Sequence, residues 1–459
     1  MGEVLSKVKT IHLVGIGGVG MSGLALLLKD RGFSVSGSDC QEGYQIKKLK
    51  DEGISVFIGH HKNHVPSNTH MLGYSSAVPE DNPEIQEAKR RGIQIIRRGE
   101  LLAELCRGSK TIAIAGSHGK TTTTALIGYL LTSLEFKPTV FLGGSPLNYR
   151  RDAWWGGAHC VIETDESDGT FLCYDPWISV ITNIDCEHLD YYRTMEEINR
   201  SFLTFASKTK GKAFGWGDQD SVARIIDEVS GVKFGWGSSN QIQGRNFRFN
   251  QGQNYFDLFI KGDFITPVKT SLLGEHNCRN SLAALAVCAF LGEDLKKAAK
   301  IIEGFCGTKR RFQVKAEVAG VTFVDDYAHH PTEIKAVIKA ARLLNPKRIF
   351  VILQPHRYSR VNLLFSEFSS CFAQADKVVI TDIYSAHEPR IEGINAESLS
   401  LAVKKHSSVD AEYVAVEKLS QIIPEKLEEG DLVLALGAGD INSRMDKVIY
   451  EFKKNRAGN

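Results

Sequence analysis

Residues 111–124, Thr-Ile-Ala-Ile-Ala-Gly-Ser-His-Gly-Lys-Thr-Thr-Thr-Thr, decide the fold of this chain. The apolar run at 112–115 predicts a buried strand, and the apolar positions 125, 126 and 130 predict a helix. A glycine turn and the pair Lys120-Thr121 lie between them. In such a turn the backbone amides face a phosphate, the lysine reaches the β/γ-phosphates and the threonine holds Mg²⁺. The stretch therefore predicts a nucleoside triphosphate site.

The strict phosphate-loop pattern is not met at every position. It requires a glycine where this chain has Ile114, so Gly116 and Gly119 must form the turn. The alternative is an ordinary strand-to-helix turn without a ligand. The Gly-Lys-Thr sequence at the start of the helix favours the phosphate site.

Length and composition define the class of protein. A chain of 459 residues is long enough for about three domains of roughly 150 residues each. The hydrophobic fraction of 42% and charged fraction of 24% are typical of a soluble globular protein. The net charge is +2, and we find no basic patch that would indicate nucleic acid. The oligomeric state is left open.

The cysteines and the apolar segments bear on location. Nine cysteines are scattered without a CxxC pair or zinc spacing, which indicates reduced thiols in a reducing compartment. No apolar run approaches the ~20 residues of a membrane span, and no signal peptide precedes the first strand. We therefore expect a cytoplasmic protein with no membrane partner.

A second glycine-rich turn lies near the amino terminus. Residues 10–14 predict a strand, and Gly15, Gly17 and Gly20 satisfy GxGxxG. Asp39 follows Gly20 by 19 residues, which suits a ribose hydroxyl. The physics requires only a diphosphate at a helix amino terminus, so NAD, FAD and a UDP-sugar all fit. A tight turn without a ligand also remains open. The loop at 75–79 belongs to the same unit, and residues 107–109 are its expected boundary.

Acidic residues follow the strands after the phosphate loop. Four acids occur within residues 163–168, which suits a second Mg²⁺ ligand but also a solvated turn. Residues 183–190 form a further cluster that includes His188. Residues 211–270 alternate apolar and polar side chains and predict short antiparallel strands. Residues 274–280 open a helix, where His276, Asn277 and Asn280 either bind a base or cap the helix, with the cap favoured.

The last third of the chain repeats the αβ pattern. Strands are predicted at 321–324, 348–353, 377–381 and 432–436, and each ends in polar residues, as ligand-binding strands of open α/β sheets do. Arg357 and Arg360 follow the second of these strands and suit a carboxylate or a phosphate. A single arginine is more often part of a surface ion pair, so this assignment is only suggested.

Four of these segments together resemble a known family. They are Gly-Ser-His-Gly-Lys-Thr-Thr-Thr, the acidic strand end at 163–168, Gly-Glu-His-Asn-Cys-Arg-Asn, and Asp-Asp-Tyr-Ala-His-His-Pro-Thr-Glu. In this order they resemble the ATP-dependent Mur ligases of peptidoglycan synthesis. Gly-Ile-Gly-Gly-Val-Gly-Met-Ser-Gly and Gln-Pro-His-Arg-Tyr-Ser-Arg narrow the resemblance to members that attach L-alanine. Ser117 and Thr164 depart from the usual family residues without removing a group that the chemistry needs.

The resemblance implies a three-domain α/β architecture. Residues 1–108 would form a Rossmann-like domain that binds a UDP-sugar, and residues 109–312 a central P-loop ATPase domain. Residues 313–459 would form a Rossmann-like domain that binds the amino acid. The implied reaction is ATP-dependent ligation of L-alanine to the carboxylate of UDP-N-acetylmuramate through an acyl phosphate, with Mg²⁺ as cofactor.

The resemblance also implies site residues. Catalytic roles fall on Lys120, Glu163, His188, His329, Arg357 and Arg360, of which the last three would face L-alanine. The metal roles fall on Thr121, Glu163 and His188. The roles in binding ATP fall on Gly116, Ser117, His118, Gly119, Lys120, Thr121, Thr122, His276, Asn277, Asn280 and Arg311. The roles in binding the UDP-sugar fall on Gly17, Gly18, Gly20, Asp39, Ser76 and His118.

Three other functions compete with this reading. A ligase of the same family could attach a whole tripeptide, although Gln-Pro-His-Arg-Tyr-Ser-Arg favours the single amino acid. An NAD-dependent oxidoreductase would explain GxGxxG but leave Gly-Lys-Thr and the acidic strand ends unexplained. A non-catalytic nucleotide-binding regulator would bind ATP without releasing phosphate.

Overall fold

The computed structural model describes residues 3–187 and 191–457. Within this part of the chain the strands form three sheets, of five, ten and six strands. The chain divides into two compact units: the first comprises Met1–Phe247, Tyr255–Thr270 and Cys278–Gly307, and the second Arg248–Asn254, Ser271–Asn277 and Thr308–Asn459. None of the described helices is both long and apolar enough to cross a membrane.

The five-stranded sheet, here the amino-terminal sheet, alternates strands with helices. Its strand order is β3-β2-β1-β4-β5, all parallel, as in a Rossmann-type half. β1 is buried along its whole length, including the polar residues Thr10 and His12. The elements are β1 Thr10–Val14, α1 Val19–Asp30, β2 Ser34–Asp39, α2 Tyr44–Asp51, β3 Ser55–Ile58, β4 Met71–Tyr74, α3 Pro83–Arg90, β5 Gln94–Arg97 and α4 Arg98–Cys106.

The ten-stranded sheet, here the central sheet, follows. β6 lies between β10 and β9, so the strand that precedes the predicted phosphate loop is in the interior of the sheet. The elements are β6 Lys110–Ala115, α5 Lys120–Ser133, β7 Thr139–Phe141, β8 Ala153–Trp154, β9 His159–Glu163, β10 Ile178–Ile181, α6 Met195–Ser207, β11 Lys212–Trp216, α7 Asp220–Glu228, β12 Val232–Gly235, β13 Ile242–Asn250, β14 Gln253–Ile260, β15 Asp263–Thr270, α8 Glu275–Phe290 and α9 Leu295–Ile302.

The prediction of short antiparallel strands over 211–270 is wrong for the first half of that region. β10, β11, β12 and β13 pair in parallel, and α7 connects β11 to β12. The reason is visible in α7, where Val222, Ile225 and Ile226 are buried at helical spacing. The helix lies between two glycine-rich turns, and in a sequence such turns favour the prediction of hairpins.

The six-stranded sheet, here the carboxy-terminal sheet, has the order β16-β17-β21-β18-β19-β20. Only β16 is antiparallel to its neighbour among the described pairs. Alternate residues of β18 enter two different cores, because helices cover both faces of the sheet. The elements are β16 Gln313–Val318, β17 Val321–Asp326, α10 Pro331–Arg342, β18 Arg348–Leu353, α11 Tyr358–Leu363, α12 Phe365–Ser370, β19 Lys377–Ile380, α13 Ala396–His406, β20 Asp410–Tyr413, α14 Leu419–Lys426, β21 Asp431–Leu436 and α15 Ile441–Ala457.

Candidate active site

The loop between β6 and α5 has the backbone that a phosphate loop needs. Gly116 and Gly119 have φ values of +133° and +82°, and Gly119 precedes the first residue of α5. A Cβ atom at Gly116 would lie 2.2 Å from Thr182 Oγ1 and 2.8 Å from the backbone oxygen of Asn183. Only glycine fits this conformation and this close approach. The structure thus explains why a glycine two residues after Ile114 can form the turn.

The end of β10 fixes the conformation of this loop. The amide of Ser117 donates to the backbone oxygen of Asn183 over 3.0 Å, and the amide of His118 donates to Asn183 Oδ1 over 2.9 Å. Thr182 Oγ1 and Asn183 Nδ2 both donate to the backbone oxygen of His118. The ring of His118 lies 3.1 Å from Asp185 Oδ2. The loop is therefore preorganised by the neighbouring strand, which lowers the entropic cost of binding an anion.

Lys120 is held by a buried carboxylate at the start of α5. Its Nζ atom donates to Glu166 Oε1 over 2.7 Å and to the backbone oxygen of Ser117 over 3.2 Å. Burial opposes the charge of the lysine, but Glu166, Glu163 and Glu187 outweigh burial and raise its pKa. Burial also raises the pKa of Glu166 to about 7, against the attraction of Lys120. The ammonium group is thus charged at neutral pH, as a phosphate ligand must be.

Thr121 and Glu163 meet at the start of α5. Thr121 Oγ1 donates to Glu163 Oε1 over 2.8 Å, and the amide of Gly143 donates to Glu163 Oε2 over 2.7 Å. A hydroxyl and a carboxylate oxygen at this distance are the hard ligands that Mg²⁺ prefers. The two residues fit that ion. The third predicted ligand, His188, lies outside the described residues. Thr122 is buried in α5.

The residues predicted for the base side of ATP belong to both compact units. Asn280 lies beside the phosphate loop, since a Cβ atom at Gly119 would be 2.8 Å from its Oδ1. His276 and Asn277 belong to the second unit, where Asn277 Nδ2 donates to the backbone oxygen of Leu273. Asn277 thus supports the turn before α8 through its side-chain amide, which is not the bond of a helix cap. Arg311, also in the second unit, contacts Glu333 over 3.3 Å. Contact of these residues with ATP stays a prediction.

The amino-terminal glycine loop has an acidic neighbour at the predicted position. The amide of Gly17 donates to Asp39 Oδ2 over 2.8 Å, so Asp39 at the end of β2 faces the loop. The loop after β4 lies on the other side, with Ser75 and Val78 close to Gly15. Ser76 is exposed on that loop, and Gly18 is exposed before α1. These residues therefore surround one turn at the carboxyl ends of β1, β2 and β4.

Sequence reasoning missed Arg98 at this turn. Its Nη1 atom lies 2.9 Å from the position of a Cβ at Gly20, and its Nη2 atom donates to Asp165 Oδ2 over 2.6 Å. Arg98 follows Arg97 directly, and nothing in the sequence distinguishes the two. Only the fold shows that Arg97 is exposed while Arg98 points to the glycine loop.

In the second unit, histidines and arginines meet at the carboxyl ends of β17 and β18. The rings of His329 and His356 are 5.8 Å apart, and Arg360 Nη1 lies 3.3 Å from His356 Nδ1. Burial lowers the pKa of His356 to about 3, with His329, Arg360, Arg357 and Arg310 adding to the effect. His356 is therefore a neutral imidazole that accepts from Arg360. Its ring also stacks on Tyr384.

Arg357 is paired with a carboxylate, Glu388. Its Nε atom lies 2.6 Å from Glu388 Oε1, and its backbone φ is +69°. Ser359 donates to the same carboxylate through its amide and its hydroxyl. Glu388, which the sequence did not single out, thus holds the turn before α11. Of the two predicted arginines, Arg360 is the one beside His356 and His329.

Asp326, at the end of β17, is held by two backbone amides. The amide of Phe312 donates to Asp326 Oδ2 and the amide of Ala328 to Oδ1, each over 2.7 Å. Burial raises the pKa of Asp326 to about 6. His330 caps α10 together with Glu333, and Pro331 takes the first helical position, which proline favours. The segment that carries His329 is thereby fixed at both ends.

The fold and the site together define the class of protein. The chain has three sheets, a glycine loop beside an aspartate at a strand end, and a preformed phosphate loop whose lysine and threonine contact carboxylates. Comparison with known families agrees. The chain matches the Mur ligase family, catalytic domain, over residues 10–110. It matches the Mur ligase middle domain over 114–288 and the Mur ligase, glutamate ligase domain, over 310–439. The chain belongs to the Mur ligase family.

Individual relatives cover nearly the whole chain. A UDP-N-acetylmuramate–L-alanine ligase of Desulfotalea psychrophila is 44% identical over 440 residues, which are 94% of this chain and 95% of that one. The ligase of the same name from Carboxydothermus hydrogenoformans is 40% identical over 442 residues, 95% of each chain. The crystal structure of the UDP-N-acetylmuramate–alanine ligase of Thermotoga maritima superposes with a TM-score of 0.85 at 28% identity, covering 98% of this chain and 100% of that one. The three-domain α/β fold is thus confirmed.

A murein peptide ligase is a more distant structural neighbour. The crystal structure of the enzyme from Psychrobacter arcticus superposes with a TM-score of 0.72, covering 97% of this chain and 99% of that chain. Its sequence is 21% identical, so the likeness concerns the fold.

Proposed function

We propose that this protein is an ATP-dependent ligase that joins L-alanine to the carboxylate of UDP-N-acetylmuramate. The products would be UDP-N-acetylmuramoyl-L-alanine, ADP and phosphate, in the synthesis of peptidoglycan precursors. The observation that carries this proposal is the identity of 40–44% over nearly the full length of ligases of that name. The preformed phosphate loop and the Thr121–Glu163 pair support it, because both are groups that phosphoryl transfer requires.

The reaction needs ATP because a carboxylate has no usable leaving group. Transfer of the γ-phosphoryl group to the muramate carboxylate gives an acyl phosphate, and phosphate leaves when the neutral amine of L-alanine attacks. Lys120 would stabilise the negative charge on the transferred phosphoryl group. Thr121 and Glu163 would hold Mg²⁺, which offsets phosphate charge when bound. The proposal also includes His118 as an ATP-binding residue and His188 as a further Mg²⁺ ligand.

The amino acid would be held by the second unit. Arg360 is a planar donor that matches a carboxylate bidentately. The neutral His356 beside it adds no competing positive charge, and His329 lies against the same ring. These residues would orient L-alanine so that its amine reaches the acyl carbon. Arg357 would act indirectly, because it is engaged with Glu388.

The amino-terminal turn would bind the diphosphate of the UDP-sugar. Gly17, Gly18 and Gly20 would present backbone amides, and Asp39 and Ser76 would face the uridine. A separate ATP site on α5 makes a second ATP at this turn unnecessary. We also propose the division into domains at about residues 108 and 312, and a cytoplasmic location. The nine cysteines are scattered without a CxxC pair or zinc spacing, which supports a reducing compartment.

Phosphate release tests this proposal and separates it from its rivals. The full chain would be incubated with ATP, Mg²⁺ and UDP-N-acetylmuramate, together with L-alanine, glycine, L-serine or a free tripeptide in separate reactions. We expect release with L-alanine to exceed release with the tripeptide. Preference for the tripeptide would favour the peptide-attaching ligase, and release independent of the UDP-sugar would overturn the proposal. Tight NADH binding would favour the oxidoreductase.

A further inference from the structure

Two adjacent acidic residues in the first unit, Asp165 and Glu166, each pair with one basic side chain. Arg98 Nη2 donates to Asp165 Oδ2 over 2.6 Å, and Lys120 Nζ donates to Glu166 Oε1 over 2.7 Å. Arg98 is the first residue of α4 and Lys120 the first residue of α5. Consecutive residues of one segment thus connect the glycine loop of the amino-terminal sheet with the phosphate loop of the central sheet.

Arg98 lies directly against the glycine loop. A Cβ atom at Gly20 would be 2.9 Å from its Nη1 and 3.3 Å from its Cδ, so glycine is what lets the guanidinium approach. Gly20 is in the first turn of α1, the positive end of that helix dipole. A guanidinium at this place is repelled by the helix end, and Asp165 offsets the repulsion. A bound diphosphate would offset it directly, with a charge-assisted hydrogen bond.

The segment that carries the two acids is fixed at several points. Asp165 Oδ1 accepts from the amide and hydroxyl of Ser167 over 3.1 and 2.6 Å. Tyr192 donates to the backbone oxygen of Glu166 over 2.6 Å. Thr170 fills the space beside Gly99, where a Cβ atom would lie 2.4 Å from its Oγ1. A change at Arg98 therefore reaches Glu166 through a short, packed segment rather than a loose loop.

We propose that Arg98 binds the diphosphate of the UDP-sugar. Through Asp165 and Glu166, it couples that binding to the binding of ATP at Lys120. This inference rests on the proposed function, since it takes both ligands from it. When the guanidinium engages phosphate, its bond to Asp165 weakens, and the charge of Asp165 acts more strongly on Glu166 and Lys120. The two binding sites thereby share one electrostatic network.

Binding measurements on the full chain test the coupling. The dissociation constant of UDP-N-acetylmuramate would be measured by calorimetry with and without the non-hydrolysable analogue AMP-PNP. For the unaltered chain we expect the analogue to change this constant by about fivefold or more. Arg98→Gln should weaken UDP-sugar binding by about tenfold or more and remove the effect of the analogue. Arg98→Lys, which keeps the charge but loses the fork of donors, should lie between the two.

Two further variants separate coupling from a structural role. Asp165→Asn leaves Arg98 available to the diphosphate, so we expect UDP-sugar binding to change by less than about threefold while the effect of the analogue disappears. Arg97→Gln alters the exposed neighbouring arginine and should behave as the unaltered chain. Unaltered UDP-sugar binding in Arg98→Gln, or an intact effect of AMP-PNP in Asp165→Asn, would overturn the inference. Absence of UDP-sugar binding in the unaltered chain would instead overturn the proposed function along with it.

Discussion

Thr121 Oγ1 donates to Glu163 Oε1 over 2.8 Å, and this bond joins the first turn of α5 to the end of β9. The two residues are distant in sequence and meet because β6 and β9 are neighbours in parallel register. Lys120, the residue before Thr121, donates to a second carboxylate, Glu166 Oε1, over 2.7 Å. The phosphate loop is thus flanked by one carboxylate suited to a metal ion and another that holds the lysine.

Glu163→Gln should weaken the binding of Mg²⁺. Glutamine keeps the size of the side chain and an oxygen for Thr121 but loses the negative charge that a hard divalent cation needs. We expect the Mg²⁺ concentration for half-maximal phosphate release to rise by about tenfold or more, the equivalent of 1.4 kcal/mol. A titration with MgCl₂ at saturating substrates measures this.

Asp168→Asn is the matched control for that titration. Asp168 belongs to the same acidic stretch, but its Oδ1 accepts from the amide and hydroxyl of Thr170, so it serves the local turn. We expect its Mg²⁺ dependence to match that of the unaltered chain. An equal rise in both variants would show that the metal assignment of Glu163 is wrong.

Lys120→Ala should lower the ligation rate by about 10²–10³, the usual effect of losing one electrostatic contact in a transition state. The substitution also leaves Glu166 buried without its lysine. The double variant Lys120→Ala/Glu166→Gln avoids that charge and should be as inactive while unfolding closer to the unaltered chain. Steady-state phosphate release and thermal unfolding measure both effects. Near-normal turnover by either folded variant would contradict the role of Lys120.

Arg360→Lys should raise the KM for L-alanine and leave those for ATP and UDP-N-acetylmuramate nearly unchanged. Truncating a buried charged contact costs on the order of 2–5 kcal/mol. Lysine keeps the charge, so we expect the lower end, about 30-fold in KM. L-alanine amide, which lacks the carboxylate charge, should be a poor substrate that the substitution affects much less.

Arg390→Lys, at an exposed arginine of the same unit, is the control for these kinetics. It should leave all three KM values as they are. A rise in the KM for ATP with an unchanged KM for alanine in Arg360→Lys would assign Arg360 to the nucleotide side instead.

His356 should remain neutral well below the pH at which other histidines titrate. Burial, followed by the charges of His329, Arg360 and Arg357, lowers its pKa to about 3. The unfolded chain takes up this proton near pH 6.5, so His356 contributes stability that is present above pH 6.5 and is lost as the pH falls toward 3. The imidazole signals in NMR spectra, assigned with His356→Gln, should not titrate between pH 8 and 5. A midpoint between pH 6 and 7 would contradict the neutral form.

Much of the fold could be predicted because strands in parallel sheets are buried on both faces. β1, β6 and β18 are largely apolar, and the prediction for each lies within one or two residues of the observed bounds. The region of α7 and β12 could not be predicted in the same way. Its strands are short and half-buried, so their direction is set by pairing with β11 and not by their own pattern.

The site could be predicted only where chemistry and spacing coincide. Lys120 and Thr121 directly follow a glycine turn, and this position at the start of a helix indicates phosphate and metal binding. Arg98 and Glu388 could not be found, because an arginine or glutamate in a polar stretch is usually a surface residue. Their positions depend on the contact of Arg98 with Asp165 and of Glu388 with Arg357. Contacts over such sequence distances are set by the tertiary fold.

The central claim is that the carboxylate of UDP-N-acetylmuramate is activated by phosphate and then joined to L-alanine. UDP-N-acetylmuramate labelled with ¹⁸O in both carboxylate oxygens would be incubated with the enzyme, ATP, Mg²⁺ and L-alanine. Mass spectrometry should find one ¹⁸O in the amide product and the other in the released phosphate, in equal amounts. Unlabelled phosphate, or ATP consumption without an alanine adduct, would contradict the account.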